Sequence, residues 1–486
     1  MPSGVLDTQP FRGRRGQLVT AILASLIAGL PMLLLPAPFS AVAPIAIAML
    51  PLLGVFAFRN PFILCLVFIV FSFFRIHEAF QALNPLRIPS LVAMPTLVVL
   101  GWHIVLSRQI KPFWSQELKV FSIFFVLVTL GLPFAVNKPM AIAYWTATYW
   151  KIAVMVVAIA WLVRTPRDFG LAARAMIVGS CLISVVAISN KLAGIGLVEG
   201  TRVTISREFG SVLGDPNDLS LILLFPLGFA VTLVVFKTGF VNRLLGLTGM
   251  VLMVWAIVCT QSRGGLLGIL AVFGIIGFRV VKSKVLLISV GAVAGLVLFA
   301  AMGINKRASG GAHEDGIDES AMGRIYAWGA AWKMATSRPL NGVGLDNFVS
   351  NYYFYSDHWD GHNHAVHSTW FNVLSETGFP GFFTFVWMIV TIAISAFRSM
   401  LRLAQARAPP AVQAMALALV AGIASFCISG TFLTQGFTWP VYILLALTTA
   451  TARYAREHCP VPAPVGEVAR AAVPAPRLAA PAFAHA

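Results

Sequence analysis

The chain has 486 residues, 58% of them hydrophobic and only 11% charged. A soluble protein of this length carries roughly 25% charged residues, so the composition excludes an ordinary soluble fold and places most of the chain in lipid. The net charge of +17 would suggest nucleic acid for a soluble protein. For a membrane protein it follows from the Lys and Arg of cytoplasmic loops, and no nucleic-acid partner is expected.

In lipid every backbone N–H and C=O must be bonded within its own segment, which leaves helices or closed barrels. The apolar runs here are continuous over about 15 to 24 residues, the length of helices rather than of barrel strands. In chain order, Arg12, Arg14 and Arg15 precede the first run, and "PAPFSAVA" has the look of a cleavage site. The many apolar segments that follow favour an uncleaved first span. The expected spans are 17–35, 41–57, 61–74, 88–106, 119–136, 140–163, 171–189, 219–236, 243–260, 265–279, 284–302, 379–396, 411–431 and 437–453. Two of these, 61–74 and 265–279, are short for about 30 Å of hydrocarbon. The expected fold is therefore all-α: a polytopic integral membrane protein with about 12–14 transmembrane helices and one large extramembrane loop. Residues 1–302 hold the first spans, 303–378 form the loop, 379–453 hold the last spans, and 454–486, rich in Ala and Pro, form a disordered tail.

Counting cations orients the chain. With the N-terminus inside, alternate connections carry Arg12, Arg14 and Arg15; Arg59; Arg108, Lys111 and Lys119; Arg164, Arg167 and Arg174; Lys237 and Arg243; Arg279, Lys282 and Lys284; Arg398, Arg402 and Arg407; and Arg453 and Arg456. Each inside connection is positive, as the positive-inside rule requires, and both termini are expected in the cytoplasm. Several outer segments nevertheless hold cations: Arg75 and Arg87; Lys191, Arg202 and Arg207; Arg263; and Lys306, Arg307, Arg324, Lys333 and Arg338. An anionic substrate is the natural counterpart of cations on the translocated face.

Within the large loop, Met322, Ile325, Trp328, Trp332 and Ala335 are spaced by three and four, which predicts an amphipathic helix lying on the membrane surface. Ser320 can cap its start and Pro339 stops it. The five cysteines, Cys65, Cys181, Cys259, Cys427 and Cys459, are scattered and form no CxxC pair. Lys151 falls near the middle of a span, where a charge costs about 2.5 kcal/mol. That cost marks it as a functional candidate or as half of a buried pair.

The stretch "DGHNHAVHSTWFNVLSETGFPG" (360–381) contains His362, His364 and His367. Its His-x-His-x-x-His pattern fits a metal site, a catalytic base, or a polar loop. A metal site of the His-x-His-x-Asp-His kind would want an acid where Val366 stands, although Asp357 and Asp360 are near. The spacing of His367-Ser368, nine residues, then Gly378-Phe379-Pro380-Gly381 resembles that of bacterial O-antigen ligases and the related polysaccharide polymerases. In the same order, "GSVLGDPNDLS" (210–220), "QSRGG" (261–265) and "SAMGRIYAWGAAWKMATSRPLNGVGLDNF" (320–348) resemble further segments of that family.

The resemblance implies a GT-C-like membrane glycosyltransferase with its active site on the periplasmic face of the bacterial inner membrane. It would move a polysaccharide from an undecaprenyl diphosphate-linked donor to an acceptor hydroxyl, most simply that of lipid A–core. A polysaccharide polymerase or a protein O-glycosylation ligase would use the same donor and leave the same traces. A transporter of the lipid-linked glycan is the reading from a different class; such proteins usually carry acids inside spans, and the predicted spans hold none. For the transfer itself, His367 is the expected general base, since a histidine near a helix N-terminus is held neutral. Arg207, Arg263 and Arg324 are expected on the diphosphate, because guanidinium bonds phosphate oxygens in pairs. Arg202, Lys151, Asn217, Ser368 and Glu376 are supporting candidates, and Glu376 would orient a partner. His362 and His364 read as loop residues. Neither a metal nor a cofactor is expected.

Overall fold

The computed structural model describes residues 54–80, 88–209, 211–302, 313–314, 317–359 and 361–459. Its helices are α1 (Pro61–Phe74), α2 (Ile76–Ala79), α3 (Ile88–Gly101), α4 (Gln116–Gly131), α5 (Lys138–Tyr144), α6 (Trp150–Leu162), α7 (Pro166–Ala193) and α8 (Pro216–Val235). They continue as α9 (Phe240–Thr260), α10 (Arg263–Val280), α11 (Lys284–Met302), α12 (Glu319–Ser337), α13 (Phe348–Tyr355), α14 (Thr369–Gln405), α15 (Pro410–Gly430) and α16 (Trp439–His458). Two antiparallel hairpins of two-residue strands, β1–β2 (Leu197–Val198, Arg202–Val203) and β3–β4 (His313–Glu314, Ile317–Asp318), are the strands among the described residues. Nine segments among the described residues are long and apolar enough to cross a membrane, and Pro61–Phe74 and Leu91–Leu106 are shorter apolar helices. The protein is an all-α polytopic membrane protein.

The expected span 17–35 and most of 41–57 lie outside the described residues, as do the tail beyond residue 459 and the region around residue 310. Each of the other expected spans falls on a helix. Several helices, α4, α7 and α8 among them, start earlier than the apolar runs because polar residues make up their first turns. Thr165 and Asp168 close a reciprocal capping box on α7, and Asp215 accepts the Asn217 and Asp218 N–H groups at the start of α8. In consequence Glu117, Asp168 and Asp218 lie in first turns, and Glu376 lies in the opening turns of α14. Acids therefore do occupy helix ends, which weakens their supposed absence as an argument against transport.

α8 and α16 run almost wholly buried through the middle of the bundle. α11 stands at its edge and exposes Val285, Leu286, Ile288, Val293 and Leu296, side chains suited to lipid. A second, smaller core joins Ala327, Ala330, Ala331 and Met334 of α12 to Val343, Phe348, Tyr352 and Val366. The face of α12 that packs against the protein is not the one its large apolar residues mark. Met322 and Ala335 are buried, but Ile325 and Trp332 are 47% and 51% exposed, and the packed face is a stripe of alanines. Trp328 instead donates its indole N–H to the Val366 carbonyl (3.1 Å) and stacks on Phe371. α12 begins at Glu319, so Ser320 lies inside it rather than capping it.

α14 connects the two cores, and Gly378 breaks it with φ 66° and ψ −170°. A Cβ there would lie 2.4 Å from the Pro339 carbonyl oxygen, and one on Gly381 would lie 2.1 Å from Thr377 Oγ1. Gly378 thus lets the 339–344 turn dock at the break, where Phe379 N–H donates to Pro339 O and Val343 N–H to Ser375 O, while Gly381 leaves room for the Thr377 side chain. In a cysteine-free background, Asn363→Cys and Ala406→Cys, both exposed, should react oppositely with an impermeant thiol reagent in intact cells. Asn363→Cys should label and Ala406→Cys should not; the reverse pattern would invert the assigned orientation.

Candidate active site

Ser368 is the N-cap of α14, its Oγ accepting the Phe371 N–H at 3.5 Å. His367, one residue earlier, is therefore outside the helix rather than at its first turn. It takes a left-handed φ of 46°, a conformation a non-glycine residue adopts at a cost and one that recurs at functional sites. Its backbone N–H donates to Thr434 Oγ1 at 3.1 Å, which holds the strained residue in place.

Thr434 belongs to residues 431–438, "TFLTQGFT", the connection from α15 to α16. This connection joins the segments singled out in the sequence. Thr369 Oγ1 donates to Leu433 O (2.7 Å) and accepts from Gln435 N (3.2 Å), and Trp370 Nε1 donates to Thr431 Oγ1 (3.2 Å). Gln435 Nε2 donates to Asp218 Oδ1 at 2.6 Å, tying in the first turn of α8. The Arg324 guanidinium lies over the Phe432 ring, 6.0 Å from its centroid. Gly264, the neighbour of Arg263, packs against Phe432, and its carbonyl accepts from Ser429 Oγ. Nothing in the sequence pointed to this connection, which holds no titratable residue.

The charges around His367 are Asp215, Arg324, His364 and Arg202. Burial, first, and then Arg324, His364 and Arg202 lower its pKa below the ordinary histidine value; Asp215 opposes them. The imidazole is thus neutral at pH 7 and able to accept a proton. Asp215, read in the sequence only as a helix cap, is both that cap and the anion that favours a charged imidazole.

Of the three expected arginines, Arg324 reaches His367 electrostatically, and Arg263, exposed, stands at the first position of α10, next in sequence to the Gly264 that packs against Phe432. Arg207 sits apart, exposed on a short 3₁₀ turn with Nη1 3.5 Å from Gly214 O. Arg202 is buried instead, donating to Asn217 Oδ1 (2.9 Å) and to the Thr260 carbonyl at the end of α9 (3.2 Å), with Glu199 at 3.5 Å. Asn217 thus positions Arg202. His362 is exposed, while His364 is half-buried with its ring edge on Tyr352. Among the described residues no three His, Cys, Asp or Glu side chains group as metal ligands, and Asp360 lies outside those residues.

Glu376 lines one cavity with Thr434, the acceptor of the His367 N–H, but its own hydrogen bonds go elsewhere. Its carboxylate accepts the Asp346 N–H (2.8 Å) and the Phe348 N–H (3.3 Å), closing the turn before α13. Glu376→Ala should orphan both buried donors and lower stability by about 1–3 kcal/mol, read as a lower unfolding midpoint. An unchanged midpoint would show that the turn holds without it. Lys151 lies elsewhere, in a cavity with Arg75, His77 and Glu78.

At the ends of membrane helices, the site thus brings a half-buried histidine, held neutral, into the field of Arg324 and Arg202. Residues 248–386 match the family model described as O-antigen ligase, so that stretch is similar to that family. The match takes in Arg263, Arg324, His367, Gly378 and Gly381; Lys151, Arg202, Arg207 and Asn217 lie before it. No curated protein matches the chain.

Proposed function

We propose that this protein is a glycosyltransferase that moves a polysaccharide from a polyprenyl diphosphate donor to an acceptor hydroxyl, with lipid A–core as acceptor and undecaprenyl as carrier. The observation that carries this reading is the convergence of His367, Arg202, Arg324 and Asp215 around the 431–438 connection. In the reaction, the acceptor oxygen attacks the anomeric carbon as its proton passes to neutral His367. The bond from the anomeric carbon to the diphosphate oxygen breaks, and the electron pair leaves on the diphosphate. Arg263 and Arg324 neutralise that departing charge, with Arg202 beside them and Arg207 at the rim. The site would face the periplasm at the inner membrane, opposite the cation-rich connections.

A polymerase would use the same chemistry on a growing chain. Supplying purified protein with lipid-linked repeat units and lipid A–core separates the cases by product length. A ligase gives one addition per acceptor, and a polymerase gives a ladder. Recovery of intact donor, merely moved between leaflets, would overturn transfer altogether.

A further inference from the structure

The bundle contains a polar cavity of about 380 Å³, built mainly from the first half of the chain and lined by Ser72, Arg75, His77, Glu78, Lys151 and, from the last helix, Trp439. Phe68 supplies part of its apolar wall. Lys151 follows a π-helical turn, Trp145–Tyr149, a local distortion frequent at functional sites. Among the described residues its ammonium has no hydrogen-bond or ion-pair partner. Glu78 does not neutralise it, because its carboxylate is held by Arg75 through both oxygens, with Nε–Oε2 at 2.6 Å. Two further polar atoms at the wall are orphans: Nδ1 of His77 and Oγ of Ser72 are buried without a partner, in residues 9% and 7% exposed. Burial, ahead of the opposing effect of Glu78 and the reinforcing one of Arg75, lowers the His77 pKa, so the ring is neutral. The cavity therefore offers one uncompensated positive charge and several unused hydrogen-bonding groups, beside apolar surface.

Its position links it to the site above. Ser206 Oγ donates to the Glu78 carbonyl (2.6 Å), joining the cavity wall to the segment that follows Arg202. Trp439 opens α16 directly after Thr438, whose hydroxyl bonds Gln435. A transferase needs places for two substrates, and Arg263 and Arg324 stand at the other one. We propose that this cavity binds the phosphoryl group of an anionic lipid, the acceptor substrate, on Lys151. The acceptor role rests on the transferase reading; anion binding does not.

The test titrates the purified full-length protein in dodecyl maltoside with dioleoyl phosphatidic acid and, separately, with inorganic phosphate. Lys151→Met, which removes a charge from an apolar span, should weaken binding of the lipid by roughly ten- to a hundredfold. Ala147→Trp, which fills the cavity and leaves every charge in place, should do the same. Displacement of the lipid by inorganic phosphate identifies a site for the free anion, whereas lipid binding without displacement identifies a headgroup site. In transfer assays Lys151→Met should raise the KM for acceptor and leave that for donor unchanged. Wild-type lipid affinity in both variants would overturn the proposal, as would lipid binding lost in Arg263→Lys and retained in Lys151→Met. If instead the cavity variants lose binding while Arg263→Lys converts donor normally, the cavity stands and the assignment of Arg263 falls.

Discussion

His367→Ala should lower transfer by about 10² to 10⁴, the usual contribution of a positioned base, while donor binding survives. The contrast is with His362→Ala combined with His364→Ala. His362 is exposed and His364 rests on Tyr352, so the double variant should lose little. The small loss expected traces to His364, whose proximity helps hold His367 neutral. A metal centre built on the three histidines predicts another pattern: comparable losses at all three, with chelators inhibiting the wild type and added zinc restoring it. An assay spanning about three decades in rate separates the two. Equal damage at every position together with chelator sensitivity would remove His367 as the lone base.

Arg263→Lys should cost roughly 10²-fold in transfer although the charge is kept. An ammonium is a point charge and cannot make the paired contacts a guanidinium makes with diphosphate oxygens. Arg324→Lys should behave similarly, with an added loss of the planar contact over Phe432. Measured kcat/KM for the donor decides the matter. Lysine working as well as arginine at 263 would reduce that residue to an electrostatic anchor. Because Arg207 is exposed and Arg202 is buried against Asn217, the larger loss between these two belongs to Arg202→Lys rather than Arg207→Lys.

The spans were legible in the sequence because hydrocarbon imposes one rule on every segment: bond the backbone internally and present apolar side chains. The glycine pair was legible only as part of a motif's spacing; the structure supplies the reason for Gly378, which occupies a backbone conformation that L side chains rarely adopt. The second face of α12 was not legible. Large residues at helical spacing marked an apolar face, on which Ile325 and Trp332 stay exposed, but the face packed against the protein is made of the small ones, Ala327, Ala330 and Ala331. Periodicity cannot tell a core of small side chains from a stripe of large ones that faces elsewhere.

Within the site, His367 and the arginines stood out through the motif segments that carry the family resemblance and through cations on the face opposite the cation-rich connections. Residues 431–438 did not. Thr434 and Gln435 earn their place only when the last helices close against α8 and α14. No local pattern encodes a contact made across more than 60 residues. Asp215 was visible as a cap, but its effect on His367 depends on that same closure.

The pH dependence of kcat/KM for transfer by the wild-type protein tests the base most directly. A base must be neutral to accept a proton, and burial with Arg324, His364 and Arg202 lowers the pKa of His367. Activity should therefore be full at pH 7 and above, falling only as pH drops through a midpoint below histidine's usual value of about 6.5. A rate that instead rises toward acid pH and declines through neutrality would require a protonated His367, and would contradict its role as the base.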